Sequence, residues 1–137
     1  MPNLIVFTDL DGSLLDGTTY SYEAATPALT ALREQGIPLV LVSSKTRAEM
    51  EPLRQCLDHR DPFIVENGGA VFVPPGLFDF PLERMRTRSP YQVIELGLPY
   101  HMLREVLKQI EDAVETPLQG FGDLSVEAIM QVTGLPH

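Results

Sequence analysis

The feature that most constrains this chain lies at its start. Residues 4–7 are Leu-Ile-Val-Phe, and after Thr8 the chain runs Asp9-Leu10-Asp11-Gly12. Four apolar residues are too few for a helix and are rich in strand formers, so they read as a fully buried strand of the parallel-sheet kind. Side chains alternate along a strand, so Asp9 and Asp11 would share a face if the strand continued. In open α/β sheets ligands sit beyond the carboxyl ends of the strands, where this pair falls. Two such close acids repel, and a hard divalent ion with oxygen ligands, most plausibly Mg²⁺, would relieve them and recruit a phosphate. The competing structural account is an acidic turn, since Asp and Gly are ordinary turn residues.

The pattern is longer than a turn: an apolar strand, then D-L-D-G-S-L-L. It resembles the first motif of the haloacid dehalogenase (HAD) superfamily of phosphohydrolases, commonly D-x-D-G-T-L. The resemblance implies that Asp9 is the nucleophile, that Asp11 is the general acid and base, and that Gly12 belongs to the phosphate-binding loop. It also implies Mg²⁺ as cofactor, held by the Asp9 carboxylate and the Asp11 main-chain carbonyl. Ser13 stands where the superfamily usually has Thr, and the hydroxyl is kept.

The chain's 137 residues suit a domain of ordinary size, and 44% hydrophobic content is enough for a core. With 19 acids against 10 Lys plus Arg, the formal net charge of −9 argues against binding a nucleic-acid backbone. A small anionic substrate stays compatible, because a bound cation can supply local positive charge. Cys56 is the single cysteine, which excludes an intramolecular disulfide and suggests a reducing compartment. No apolar run is long enough to cross a membrane, and Met1-Pro2-Asn3 lacks the basic start of a signal peptide. A soluble, cytoplasmic protein without membrane partners is the expectation.

After the first strand, residues 16–22 are polar and turn-rich and read as a loop or small flap. Thr26-Pro27 opens a helix, with Thr26 as cap and Gly36 just past the end. Residues 37–42 form a second apolar strand that runs into Ser43-Ser44-Lys45-Thr46. Small hydroxyls, backbone N–H groups and an ammonium at a strand end make an anion cradle. Thr46 and Glu49 fit a capping box, which accounts for those two residues but not for Ser43 or Lys45. By resemblance, Ser43 matches the superfamily's second phosphate-binding position, with Ser44 as the alternative, and Lys45 looks like a phosphate or substrate contact. The next helix carries Met50, Leu53 and Leu57 on one face. Pro52 should kink or split it, Cys56 reads as a small core residue, and residues 58–61 read as a solvated connection.

Residues 63–65 are a third short strand, followed by Glu66-Asn67-Gly68-Gly69 and the apolar run 70–73, which the Gly pair would let run back as a hairpin. The blocks S-S-K-T-R-A-E-M-E and I-V-E-N-G-G-A-V-F-V-P resemble the mannosyl-3-phosphoglycerate phosphatase family, over nearly the whole chain. That resemblance implies substrate contacts at Glu66 and Asn67.

Residues 74–90 read as a linker into a second unit. There residues 91–96 form a strand, and residues 99–115 form a helix with Leu103, Val106, Leu107, Ile110 and Val114 in one stripe. Residues 125–134 form a short helix, capped by Ser125 and stopped at Gly134. The segment Gly122-Asp123-Leu124-Ser125-Val126-Glu127 imitates the superfamily's last acidic motif. It lacks the apolar strand that should precede that motif, and by resemblance belongs to the cap, where Gly122 and Asp123 would touch substrate. As structure alone, the glycines are turn residues and Asp123 is a helix-start acid.

The fold expected is therefore α/β: a HAD-type, Rossmann-like parallel sheet as a partial core, with part of an inserted α/β cap. Residues 1–80 would be the N-terminal part of the core and 81–137 the first part of the cap. No position matches the superfamily's post-cap Lys or its late acidic pair, so the chain resembles an N-terminal half. The expected function is hydrolysis of mannosyl-3-phosphoglycerate or a similar glycosyl phosphate in mannosylglycerate biosynthesis. The alternatives are another capped sugar-phosphate phosphatase, such as one for sucrose phosphate, and a catalytically incomplete phosphate-binding or assembly fragment. The expected partners are a small sugar phosphate and either a second copy of the chain or a C-terminal half.

Overall fold

A computed structural model describes residues 4–78 and 84–134. The chain divides into two compact units, Met1–Gly97 and Leu98–His137.

The first unit is built on one mixed sheet. Its strands are β1 (Val6–Thr8), β2 (Leu39–Val42), β3 (Phe63–Val65), β4 (Ala70–Val73), β5 (Arg86–Arg88) and β6 (Tyr91–Glu95). They lie in the order β1-β2-β3-β4-β6-β5. β1, β2 and β3 are mutually parallel, with Phe7 opposite Val40 and Leu41 opposite Phe63. The helices α1 (Thr26–Glu34) and α2 (Arg47–Cys56) supply the crossovers that parallel pairing needs. Beyond β3 the pairing turns antiparallel, through the hairpin to β4 and then β6 and β5. The core gathers where α2 covers the sheet: Leu41, Met50 and Phe63 are completely buried. Phe63, Phe72 and Tyr91 form a ring cluster, the first two stacked at 5.0 Å and Tyr91 edge-on to both.

Several expectations change. The parallel core is present, but the sheet as a whole is mixed. β6 pairs with β4 and β5 pairs with β6 in that sheet, and the first compact unit runs to Gly97, where the expected core ended at residue 80. β1 is half-exposed, not fully buried, because among the described residues it is an edge paired only with β2; Leu4, Ile5 and Phe7 are exposed. α1 starts one residue early, with Ala25 at the cap and a 3₁₀ turn over Glu23–Ala25 before it. α2 passes through Pro52 without a break, and Cys56 is exposed rather than part of the core. Part of the expected linker, residues 79–83, lies outside the described residues.

The connection 58–61 is solvated at Asp58 and Arg60, as expected, but tied in at His59 and Asp61. The Asp61 carboxylate accepts the Leu39 N–H at 2.9 Å, and His59 Nε2 donates to the Leu39 carbonyl at 2.6 Å. Arg54 Nε donates to His59 Nδ1 at 3.1 Å, which fixes the neutral tautomer with its proton on Nε2. Buried Arg54 also donates to Tyr91 Oη at 2.6 Å and to the carbonyls of His59 and Asp61, its guanidinium lying 4.0 Å over the Phe63 ring. Burial pushes the His59 imidazole below its ordinary pKa, helped by the Arg54 charge and opposed by the Leu39 carbonyl.

The second unit contains α3 (Tyr100–Val114), a 3₁₀ turn (Phe121–Asp123) and α4 (Val126–Thr133). Ser125 Oγ accepts the Ala128 N–H at 3.2 Å, and Gly134, at φ +71°, ends α4 as expected. A Cβ at Gly120 would lie 2.9 Å from Leu107 Cδ2, so a larger residue there would push the Leu107 side chain aside. Along the α3 stripe, Leu103, Val106, Ile110 and Val114 are each at least two-fifths exposed, so this apolar face is unburied.

Candidate active site

The site is assembled from three turns at the carboxyl ends of β1, β2 and β3. After β1 the chain alternates sharply: Leu10 is completely buried, while Asp9 and Asp11 on either side are exposed. Burial of Leu10, with Leu14 and Leu15, pins the loop to the core and leaves both carboxylates facing out. The backbone closes on itself, with Gly12 N donating to the Leu15 carbonyl at 2.9 Å and Leu15 N donating to Leu10 at 2.8 Å. Gly12 sits at φ +75°, a conformation that strains any residue with a Cβ.

After β2, Ser43 is buried and its N–H continues the ladder to the Ile64 carbonyl at 3.1 Å. Its hydroxyl accepts the Lys45 N–H at 3.2 Å, which turns the chain so that Lys45 points back toward the first loop. The Lys45 ammonium reaches both Asp11 carboxylate oxygens, at 3.0 and 2.8 Å. This bidentate pair joins two loops 34 residues apart in sequence. The hydrogen bond to Asp11 raises the Lys45 pKa above its ordinary value, against partial burial. The next residue, Thr46, caps α2 through Glu49, which accepts its N–H at 2.9 Å and its hydroxyl at 2.8 Å.

The third turn supports the second. Glu66 N donates to the Lys45 carbonyl at 3.1 Å and Asn67 N to the Ser43 carbonyl at 3.0 Å. Glu66, Asn67 and Gly68 all have positive φ, at +53°, +54° and +99°. Two non-glycine residues in the left-handed region store local strain, which persists where surrounding structure over-determines it. Here the anchors are the main-chain bonds to residues 43 and 45, and the Gly69 carbonyl, which accepts from Leu96 and Gly97.

Of the residues singled out in the sequence, Asp11 and Lys45 are in direct contact, with Asp9, Gly12, Ser43, Glu66 and Asn67 in the three turns around them. Gly122 and Asp123 lie in the second unit. There Asp123 is paired with Arg104 and accepts the Gly120 N–H at 3.1 Å, and that backbone bond, then Arg104, holds its pKa low. A Cβ at Gly122 would fall 2.7 Å from Tyr100 Oη, so this glycine packs directly against α3.

Tyr20 is a site neighbour that pattern reading passes over. Its ring centroid lies 6.0 Å from the Lys45 ammonium. The hint in the sequence is the presence of two tyrosines, Tyr20 and Tyr22, in an otherwise polar flap. A separate cleft of about 450 Å³, lined by Leu29, Arg33, Pro38, His59 and their neighbours, opens at the start of β2, the end opposite Ser43.

Metal chemistry can be judged from the donors. Asp9 and Asp11 offer hard oxygen ligands without nearby thiolate or imidazole, which suits Mg²⁺ with several retained waters and not Zn²⁺. Among the described residues, no three His, Cys, Asp or Glu side chains are grouped to hold a metal ion by themselves.

A family pattern for haloacid dehalogenase-like hydrolases matches residues 6–76, which contain all three turns. The chain is 47% identical over 131 residues to a glucosyl-3-phosphoglycerate/mannosyl-3-phosphoglycerate phosphatase of Methanococcoides burtonii, covering 96% of this chain and 48% of that protein. It is 39% identical to a mannosyl-3-phosphoglycerate phosphatase of Pyrococcus furiosus, covering 96% and 52%. The chain thus spans about half the length of the curated relatives it matches. In fold it is similar to a haloacid dehalogenase-like hydrolase from B. subtilis, with a TM-score of 0.56 at 18% identity over 80% of this chain and 34% of the other. A hypothetical protein from Geobacillus kaustophilus gives 0.57 at 21% identity, over 99% and 50%. By the family match across its first unit, supported by these relatives, the chain belongs to the haloacid dehalogenase-like hydrolases.

Proposed function

We propose that this chain carries the phosphoryl-transfer half of a phosphomonoesterase acting on a glycosyl phosphoglycerate, of the kind named for its relatives, mannosyl-3-phosphoglycerate. The observation that supports the reading most is the Asp11–Lys45 pair. It sets the acid of the first loop beside the cationic second loop, at the sheet end where Asp9 is exposed.

In this reading an Asp9 carboxylate oxygen attacks phosphorus. The bond from phosphorus to the glycerate C3 oxygen breaks, and Asp11, entering this step as the neutral acid, gives that oxygen a proton and becomes the carboxylate that pairs fully with Lys45. The product is an aspartyl-phosphate, which splits hydrolysis into two easier steps. Asp11 then takes a proton from water, the water oxygen bonds to phosphorus, and the Asp9–phosphorus bond breaks to release inorganic phosphate. Lys45 orients Asp11 through two of its three ammonium protons, leaving one for a phosphoryl oxygen. Ser43 and the loop around Gly12 complete the anion cradle, and Glu66 and Asn67 lie beside it as substrate contacts. Mg²⁺, held by the Asp9 carboxylate and the Asp11 main-chain carbonyl, would neutralise charge on the phosphoryl oxygens.

Phosphate release from mannosyl-3-phosphoglycerate by the purified protein, compared with Asp9→Asn, tests the reading. Loss of the nucleophile should cost several orders of magnitude in turnover. Phosphate binding without any release would favour a catalytically incomplete phosphate-binding fragment. Undiminished turnover by Asp9→Asn would remove the assignment.

A further inference from the structure

The flap between β1 and α1 is more organised than its polar sequence requires. The Asp16 carboxylate accepts the N–H groups of Thr18 and Thr19 and the Thr19 hydroxyl, at 3.0, 2.8 and 2.9 Å. Those bonds, the Thr19 N–H first, hold the Asp16 pKa below its ordinary value. The Asp16 main chain is clamped as well: its carbonyl accepts the Tyr20 N–H at 2.9 Å, and its N–H donates to Ser21 at 2.8 Å. This closed loop holds Tyr20 at φ +57°, a left-handed conformation unfavourable for an aromatic residue. The strain does not serve packing, since Tyr20 is 59% exposed. Instead the ring is placed beside the Lys45 ammonium, which is itself bonded to Asp11.

We propose that Tyr20 is a specificity-determining residue whose ring forms a platform for the hexose of the substrate. The proposal rests on the phosphatase reading above. Asp11 serves the leaving-group oxygen there, so the substrate beyond that oxygen emerges on the Asp11–Lys45 side. On this side lies the exposed Tyr20 ring, carried on a turn closed by hydrogen bonds. An aromatic ring offers an apolar face to sugar C–H groups and a hydroxyl to sugar oxygens, at little entropic cost when its backbone is already fixed.

The test uses the Asp9→Asn protein, which binds without turnover, and two ligands that differ only in the hexose: mannosyl-3-phosphoglycerate and 3-phosphoglycerate. Adding Tyr20→Ala should weaken calorimetric binding of the glycosylated ligand by about fivefold to tenfold. Binding of 3-phosphoglycerate should change less than about twofold. Tyr20→Phe should retain most of the discrimination, and the thermal midpoint should be unchanged because the ring is exposed. Equal weakening of both ligands would assign Tyr20 to the phosphate end through Lys45 and overturn the proposal. No change in either would overturn it as well. If neither ligand bound even with Tyr20 present, the phosphatase reading would fall and the proposal with it, an outcome distinct from the other two.

Discussion

His59 shows how one residue can be placed in a loop by its sequence neighbours and in the structure by its bonds. Its neutral ring accepts from Arg54 and donates to Leu39, and protonation would turn the acceptor nitrogen into a donor facing a guanidinium. The groups around it are Arg54 on α2, the Leu39 carbonyl on β2, and Asp58, Arg60 and Asp61 on its own loop. Because the folded pKa lies below the ordinary value, the neutral ring's contribution to stability is complete above that value. It is lost as pH falls through the lowered folded pKa. The thermal midpoint should therefore drop more steeply between about pH 7 and pH 5 for the wild type than for His59→Gln. Parallel curves would show that His59 stays uncoupled from folding. At the same scale, Asp9 and Asp11 predict the metal preference: Mg²⁺ should bind weakly in calorimetry and reverse with chelator. Tight, chelator-resistant Zn²⁺ would contradict the oxygen-donor site.

At the scale of elements, α2 does more than its capping box and apolar stripe announce. Arg47 and Arg54, seven residues apart, both lie over the aromatic cluster; Arg47 is 5.1 Å from the Tyr91 ring centroid, and Glu51 accepts from the Tyr91 hydroxyl at 3.0 Å. Arg54→Ala would leave the Tyr91 hydroxyl and two carbonyls without this donor and open space over Phe63. A loss of about 3 kcal/mol or more is expected in denaturant unfolding, with a smaller loss for Arg54→Met, which keeps the packing. Equal stability of both variants with the wild type would show the network to be dispensable. The strands other than β5, the α2 cap, the β3–β4 reversal and the α4 boundaries were legible in the sequence because each rests on local chemistry: apolar runs, Thr46 with Glu49, Asn67-Gly68, Ser125 and Gly134. The buried Arg54, the tied loop 58–61 and the strand at Arg86–Arg88 were not. Each depends on partners 20 or more residues away or, as with the wholly exposed Arg86–Arg88, on pairing with a neighbour rather than on an apolar run. The same holds within the candidate site. Asp9, Asp11, Ser43 and Lys45 follow from strand ends, whereas the Lys45 contacts with Asp11 and Tyr20 exist only once the chain is folded.

At the scale of the whole molecule, apolar surfaces remain open among the described residues. β1 is an edge strand with Leu4, Ile5 and Phe7 exposed, and the α3 stripe is unburied in the second unit. Edges of this kind recruit other strands unless charge or proline blunts them, and residues 4–7 carry neither. The purified 137-residue chain should therefore self-associate at low micromolar concentration. Sedimentation velocity reads this directly, and a stable monomer with a cooperative melt would refute it. Charged substitutions at Ile5 and Phe7 should shift the distribution toward monomer.

The central claim is that Asp9 carries the phosphoryl group. Intact-mass and peptide analysis after acid quench of the protein incubated with mannosyl-3-phosphoglycerate tests it most directly. The account predicts a single added phosphoryl group on the peptide containing Asp9, and none in Asp9→Asn. A phosphoryl group on Ser43, or undiminished labelling of Asp9→Asn, would contradict it.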